Sequence, residues 1–452
     1  MAELHPALFT ATGQALLAQL PPYTEAGAAE LNKKLRERGL EAALVASLLT
    51  QSRLRAAAAT KFGPFADRLL LTSDALQQAT RLSVAAHHAQ RFAAAGATHV
   101  ADLGCGIGAD SLALAARGLQ VTAVERDEVT AACATVNLAL FLSARVLHAD
   151  ATALDLAALG ADALFADPAR RRPGGGRLSR PEDWSPSLST VFSWRRHVPA
   201  LGVKVAPGID LSLLPADSHV QWASVDGEVV EAAIWCGPLA LEGPGRSALV
   251  IRGGAAHVLS EAGDPSRPHE QLAPTALDEY LFEPDGAVIR AGLIHQVAAS
   301  LDAAPISPAI AYLTGPSLPA GVGDAAAPLP APAGRSEERA EEKERGAATS
   351  ATPSAPEGGA KKAAERAAAQ GASASPFYRS YRVLEVLPLK AAAISKWAKA
   401  NDVGALEIKK RGADLDPATL RAAAKLRGSG AATLIATRVE GRHRAIVVEP
   451  LG

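Results

Sequence analysis

Cysteine is nearly absent from the chain: Cys105, Cys133 and Cys236 are the three in 452 residues. An odd, scattered trio cannot staple a chain of this length, which excludes a disulfide framework and fits a reducing compartment. No two of them have the spacing of a metal-ligand pair, so no metal site is expected. Aromatic residues are scarce at 4%. A charge excess of either sign is missing too. Lys+Arg number 46 and Asp+Glu 47, a formal net charge of −1, which excludes a chain basic throughout its length. No uninterrupted apolar run reaches the roughly 18 residues that a membrane helix needs. The opening Met-Ala-Glu-Leu-His-Pro carries no basic stretch followed by an apolar one, as a secretory leader would. These absences lead to the expectation of a cytoplasmic protein with no membrane association. What the chain does have is 48% apolar residues, enough for sizeable cores. About a fifth of the residues are Ala, which bring little area to a core. At about 100–200 residues per domain, the length predicts two to four domains.

The pattern of residues divides the chain. Residues 1–75 predict an N-terminal helical region, with Leu31, Leu35, Leu40, Leu44, Leu48 and Leu49 near helical spacing and a break at Gly63-Pro64. A helix is expected over Ser73–Ala95, capped by Ser73 or Asp74. From His99 short apolar runs alternate with helix-length segments, at His99–Leu103, Gln120–Val124, Arg145–Leu147, Ala163–Ala166 and Gly202–Ala206. That is the signature of a parallel sheet built from βαβ units. Two further runs, His219–Ser224 and Glu228–Trp235, flank Asp226-Gly227 and predict an antiparallel hairpin. The parallel-sheet core is placed at 76–240. An extension follows at 241–315, with short strands expected at Ala248–Arg252, Ala256–Leu259 and Ala287–Arg290. Residues 316–376 are rich in Pro, Ala, Gly and charge and predict a disordered linker. The last segment, 377–452, predicts strand, helix, strand, helix, strand, strand, with Asp416-Pro417 opening its second helix.

The chemistry concentrates after the first strand. Asp102-Leu-Gly-Cys-Gly-Ile-Gly108 runs from strand into a glycine turn and then a helix. Glycines at 104, 106 and 108 let backbone approach a ligand, and the helix start favours an electron-rich group. The second strand ends at Glu125, about 20 residues on, where a carboxylate can accept from a ribose diol. The third ends in Asp150-Ala151, where a carboxylate can take an adenine amine. The fourth ends in Asp167-Pro168-Ala169-Arg170. Acids thus recur at the carboxyl ends of successive strands, where open α/β sheets bind ligands.

With these motifs in register, residues 75–240 resemble the class I S-adenosylmethionine-dependent methyltransferases. The resemblance implies a Rossmann-like α/β sheet of seven strands and S-adenosyl-L-methionine as cofactor. It places Asp102, Gly104, Cys105, Gly106, Gly108, Glu125, Asp150 and Ala151 around that cofactor. Asp167 and Pro168 fall where many amine methyltransferases carry Asp-Pro-Pro-aromatic, and so become the catalytic candidates. Here Ala169-Arg170-Arg171-Arg172 replaces Pro-aromatic, and the aromatic that stacks a flipped base is missing. Trp184 either replaces that stack or packs against the sheet edge. Arg170 and Arg171 suggest recognition of phosphate or carboxylate by guanidinium forks, with a solvated loop as the competing reading. Gln78 and Thr80, just before the first strand, could give polar contacts to the cofactor.

The last segment is similar to the THUMP-like C-terminal domain of a bacterial methyltransferase family, through Leu406–Gly412, Asp416–Leu420 and Lys425–Gly428. It is a small α+β unit. Residues 377–452 hold about 14 Lys/Arg and about 7 Asp/Glu, net about +7, against about −8 for the remainder. A basic module is the footprint of nucleic-acid binding, and Lys409, Lys410 and Arg411 are its candidate phosphate contacts. The resemblance implies a methyltransferase acting on RNA, tRNA or rRNA. Two alternatives stay open: methylation of a small acidic molecule or protein, and a non-catalytic S-adenosylmethionine- and RNA-binding protein.

Overall fold

The computed structural model describes residues 4–170, 176, 178, 180–319 and 375–451. Two compact units divide them, one of residues 1–269 and 286–293, the other of residues 270–285 and 294–452.

The first unit begins with helices α1 (Ala11–Ala18), α2 (Ala28–Glu37) and α3 (Ala42–Phe62). Gly63, at φ +55°, ends α3 before Pro64. The helix expected over Ser73–Ala95 is in fact two, α4 (Ser73–Gln78) and α5 (Leu82–Ala94), and Thr72 rather than Ser73 or Asp74 caps the first. Then follow β1 (His99–Leu103), α6 (Ala109–Ala116), β2 (Gln120–Glu125), α7 (Glu128–Leu138), β3 (Ala144–His148) and β4 (Ala163–Ala166). The unit continues with α8 (Leu188–Ser193), β5 (Leu201–Val205), β6 (His219–Val225), β7 (Glu228–Cys236), β8 (Gly245–Arg252) and β9 (Ala255–Ala262), and takes in α9 (Gly286–Ala291).

The strands form one sheet in the order β3-β2-β1-β4-β5-β7-β6-β8-β9. β3 through β5 are parallel and β7 runs antiparallel to both β5 and β6. The sheet is therefore nine-stranded rather than seven-stranded. Its extra strands come from the expected extension: β8, buried along nearly its whole length, pairs with β6 and with β9. Every residue of β1, β4 and β5 is buried, as a parallel sheet covered on both faces requires. Gly202 in β5 makes room for Trp235: a Cβ there would lie 2.6 Å from the indole ring. Phe165 stacks on Trp235 at 6.1 Å between centroids, and Phe92 meets both edge-on. Three of the few aromatics thus share one core. The run 287–290, expected as a strand, is helix α9. Three apolar residues before an Arg do not distinguish the two periods.

The second unit holds β10 (Tyr280–Pro284), α10 (Ile294–Leu301), β11 (Ala304–Pro305), β12 (Leu313–Gly315) and β13 (Tyr378–Pro388). After these come α11 (Ala391–Ala400), β14 (Val403–Lys410), α12 (Pro417–Ala424), β15 (Gly430–Val439) and β16 (Arg442–Leu451). Its sheet has the order β11-β12-β10-β13-β16-β15-β14. Residues 241–315 are therefore not one extension. Their first part completes the first sheet, and β10 pairs with β13 of the C-terminal segment. The expected linker 316–376 falls, but for its ends, outside the described residues. No helix among the described residues is long and apolar enough to cross a membrane.

A half-buried carboxylate ties the second unit together. Glu283 on β10 accepts from Lys409 Nζ at 2.9 Å and from the Tyr381 hydroxyl at 2.8 Å. Arg411 lies 3.8 Å from it and over the Tyr312 ring. Burial pushes the Glu283 carboxyl up, and Lys409, Tyr381 and Arg411 together more than reverse this. Removing one partner of such a group strands the others. Glu283→Ala is expected to cost roughly 2–4 kcal/mol, read as a lowered denaturant midpoint. A variant as stable as the wild type would show the cluster to be incidental.

Candidate active site

The ends of β1, β2, β3 and β4 open onto one cavity of about 810 Å³. The turn after β1 forms its floor. Gly104 and Cys105 donate their backbone N–H groups to Val124 O, which locks the turn to β2. Gly104 sits at φ +90°, and a Cβ there would be 3.0 Å from Asp167 O, so the turn and the end of β4 meet only because it is glycine. Gly106, at φ +57°, has open space where a Cβ would stand.

The acids named from the sequence converge here. Glu125 accepts from Gly106 N at 3.0 Å and Asp127 N at 2.9 Å. Asp150 is exposed and caps the turn at Ala151–Ala153 through Thr152; those hydrogen bonds hold its carboxyl low. Asp102 is buried and accepts from the Ser111 hydroxyl at 2.5 Å. Burial first, then Asp110, push its carboxyl up to about 8. Burial raises the Cys105 thiol far above its ordinary range, which leaves it no nucleophile. Ala151, Asp167, Pro168 and Arg170 line the same cavity. Gly108 lies behind the floor, against Leu138 and Ala134.

Other candidates fall elsewhere. Arg171 lies outside the described residues. Trp184 is buried, donates to Leu178 O and does not line the cavity, so it packs rather than stacks. Among the described residues lining the cavity none is aromatic. Lys409 and Arg411 are a correction. Their cationic groups are held inside the second unit by Glu283, Tyr381 and the Ala311 carbonyl, which withdraws them from the role of free phosphate contacts. Lys410 is exposed and donates to Leu415 O.

The structure adds residues that the motifs did not name. Lys204, in the middle of β5, donates to Asp167 Oδ2 at 2.7 Å, Thr80 Oγ1 at 2.9 Å and Gln78 O at 3.2 Å. Burial raises the Asp167 carboxyl, and Lys204 opposes that most strongly. Burial would lower the Lys204 ammonium, but Asp167, Glu231 and Asp110 outweigh it and raise it. Thr80 donates onward to Asp110 Oδ2 at 2.6 Å. Asp110 Oδ1 is 2.8 Å from His88 Nδ1, and His88 Nε2 is 2.9 Å from Glu231 Oε1. Burial lowers His88, yet Glu231 and Asp110 push it up to about 9. The break between α4 and α5 makes this possible. Lys61 donates to the carbonyls of Leu76, Gln77 and Ala79, ending α4 and presenting Gln78 and Thr80 to Lys204. A lone Lys in the apolar run Leu-Gly-Val-Lys-Val was the signal available in the sequence, since a buried cation needs acceptors.

A β3-β2-β1-β4-β5 parallel sheet closed by a β7-β6 hairpin, with a glycine turn after β1 and acids ending β2, β3 and β4, defines the class I methyltransferase arrangement. Comparison with known proteins agrees. Residues 378–450 match the THUMP domain-like family, and residues 4–58 match a domain of unknown function, DUF8688. Two uncharacterized S-adenosylmethionine-dependent methyltransferases of Mycobacterium tuberculosis, from strains CDC 1551 / Oshkosh and ATCC 25618 / H37Rv, are each 29% identical over 402 residues. The match spans 87% of this chain and 92% of each relative. A putative methyltransferase from Porphyromonas gingivalis W83 shares the fold at TM-score 0.63 and 17% identity, covering 96% of this chain and all of that one. By its relatives the chain is an S-adenosylmethionine-dependent methyltransferase, and its C-terminal domain is THUMP-like.

Proposed function

We propose that the cavity binds S-adenosylmethionine and directs its methyl group to RNA, a tRNA or rRNA, captured by the C-terminal unit. The convergence of the Gly104–Gly108 turn with Glu125, Asp150 and Asp167 in one cavity carries this reading. The residues fit the cofactor: the turn is open above Gly106, Glu125 suits a ribose diol, and Asp150 suits an exocyclic amine. When bound, S-adenosylmethionine would supply an electrophilic methyl on a sulfonium able to leave as a neutral thioether. Asp167 Oδ1 and the Pro168 carbonyl orient that nucleophile, so catalysis is mainly positioning. Arg170, with Arg171, reads a phosphate of the substrate.

Support for RNA comes from the THUMP-like match and the basic excess of residues 377–452. With Lys409 and Arg411 held internally, the capture surface moves to exposed Lys396 and Lys399 on α11 and to Lys425 and Arg427 after α12. Reversing these four to Glu is expected to weaken binding of bulk tRNA and rRNA at least tenfold and to flatten its salt dependence, each lost phosphate contact removing about 0.7–0.9 from the slope. Unchanged affinity in a folded variant would remove RNA capture by this face. Nucleoside mass spectrometry of RNA from cells lacking the protein then names the methylated atom.

One observation favours a second reading. Arg53, Arg126 and Arg170 line a cavity without a described aromatic, which suits a small acidic molecule or an acidic protein substrate. In that case all RNA nucleosides keep their methyl groups when the protein is absent.

A further inference from the structure

Lys204 stands in a strand whose other residues are Leu, Gly and Val, with only 6% of its side chain exposed. An ammonium has three protons to donate. Here Asp167, Thr80 and Gln78 take all three. Lys204 therefore has none left for a ligand, and its effect on the cavity passes through Asp167. Of the Asp167 carboxylate, Oδ2 is occupied by Lys204, and Oδ1 is the oxygen left for the cavity that Asp167 lines. A buried carboxyl on its own takes up a proton readily. Once protonated it presents an O–H and accepts poorly. The ammonium at 2.7 Å opposes that uptake.

We infer that Lys204 is a positioning residue: it pins Asp167 Oδ2 and keeps the carboxylate ionised, so that Oδ1 accepts the N–H or O–H of the incoming nucleophile and takes its proton. The inference rests on the reading that Asp167 faces the transferred methyl group, and it narrows the substrate. The nucleophile must carry a hydrogen when it enters, as an amine, amide or hydroxyl does. A bare ring nitrogen or a carboxylate would offer Asp167 nothing to hold and would be repelled by its charge.

Lys204 is itself held in place. Thr80 accepts from it and donates to Asp110, which is followed by His88 and Glu231, so charges alternate from the cavity into the core. The charged groups acting on Asp167 are Lys204 from β5, Asp102 from β1, Asp110 from α6 and Arg170 from its own loop. Lys204 feels Glu231 from β7 as well, and Lys61 from α3 lies close enough to repel it.

The test is a titration of the Asp167 carboxyl carbon in the full-length protein carrying 13C-labelled Asp, its resonance identified by its loss in Asp167→Asn. Lys204→Met is expected to raise the midpoint by roughly 1–3 pH units above that of the wild type. Lys204→Arg, which keeps the cation, should stay near the wild type. The acid limb of the methyl-transfer rate should move with the midpoint, which a merely structural role would not produce. An unchanged midpoint in Lys204→Met overturns the inference. Should that variant fail to fold, the wild type and Lys204→Arg decide: a carboxyl still protonated at pH 7 overturns it, and an ionised one in both supports it. Calorimetry with S-adenosylmethionine separates the two levels. A wild type that does not bind it sinks the functional reading whatever the titration shows. Normal binding beside an unmoved midpoint sinks the role of Lys204 alone.

Discussion

Asp167→Asn is expected to slow methyl transfer by about 10²–10⁴ while leaving affinity for S-adenosylmethionine within about threefold. The substitution keeps shape and removes charge. The amide oxygen can still accept from Lys204, and Lys204 keeps Thr80 and Gln78 as partners, so β5 and the 78–80 segment stay joined. What is lost is the acceptor toward the cavity: the amide presents N–H where the carboxylate presented Oδ1, and it cannot take a proton. Asp150 and Glu125, the proposed cofactor contacts, are untouched. Some stability is lost as well, since Lys204 then relies on Asp110 and Glu231 for countercharge. Single-turnover transfer of a labelled methyl group, with calorimetry of cofactor binding, separates these effects. A variant within about threefold of the wild-type rate would remove Asp167 from the chemistry. Loss of binding and transfer together would make it a structural residue.

The sequence carried the cavity's floor and rim because parallel βαβ units impose a spacing. A strand, a turn and a helix of ordinary length put the ends of β1 to β4 side by side, and acids at those ends must meet. Asp102, Glu125, Asp150 and Asp167 could therefore be named without knowing any contact. Lys204 could not. Its partners come from two separate stretches of chain, Gln78–Thr80 and Asp167, and no local pattern encodes such a meeting. The break between α4 and α5 was hidden for the same reason. Gln77-Gln78-Ala79-Thr80-Arg81 contains neither Gly nor Pro. At the end of α4 Lys61 takes the carbonyls of Leu76 and Gln77, and that of Ala79 just beyond, a tertiary override of local propensity. The basic run Lys409-Lys410-Arg411 misled in the opposite direction. Its charge is plain in the sequence, whereas its counterion is Glu283, 126 positions earlier. A charge run shows what a segment carries and says nothing of what already neutralises it.

The same distinction, between a group that holds the fold and one that holds a ligand, decides what Glu125→Ala will do. Its carboxylate accepts from two backbone N–H groups, Gly106 N and Asp127 N, so alanine loosens the glycine turn as well as removing any contact to a ribose. Hydrogen bonds to a charged group are worth about 1.5–3 kcal/mol each, and affinity for S-adenosylmethionine is expected to fall roughly 100-fold, read by calorimetry. The fall alone would not tell a ribose contact from a disordered turn. A cycle with a 2′-deoxy analogue does. If Glu125 holds the diol, the analogue binds the wild type more weakly, and Glu125→Ala no longer distinguishes it from the full cofactor. If the two losses simply add, Glu125 shapes the turn and does not touch the sugar. Coupling is the expected result. Gly106 N and Asp127 N each occupy one lone pair of a carboxylate that has about four, and Glu125 keeps acceptor capacity facing the cavity it lines.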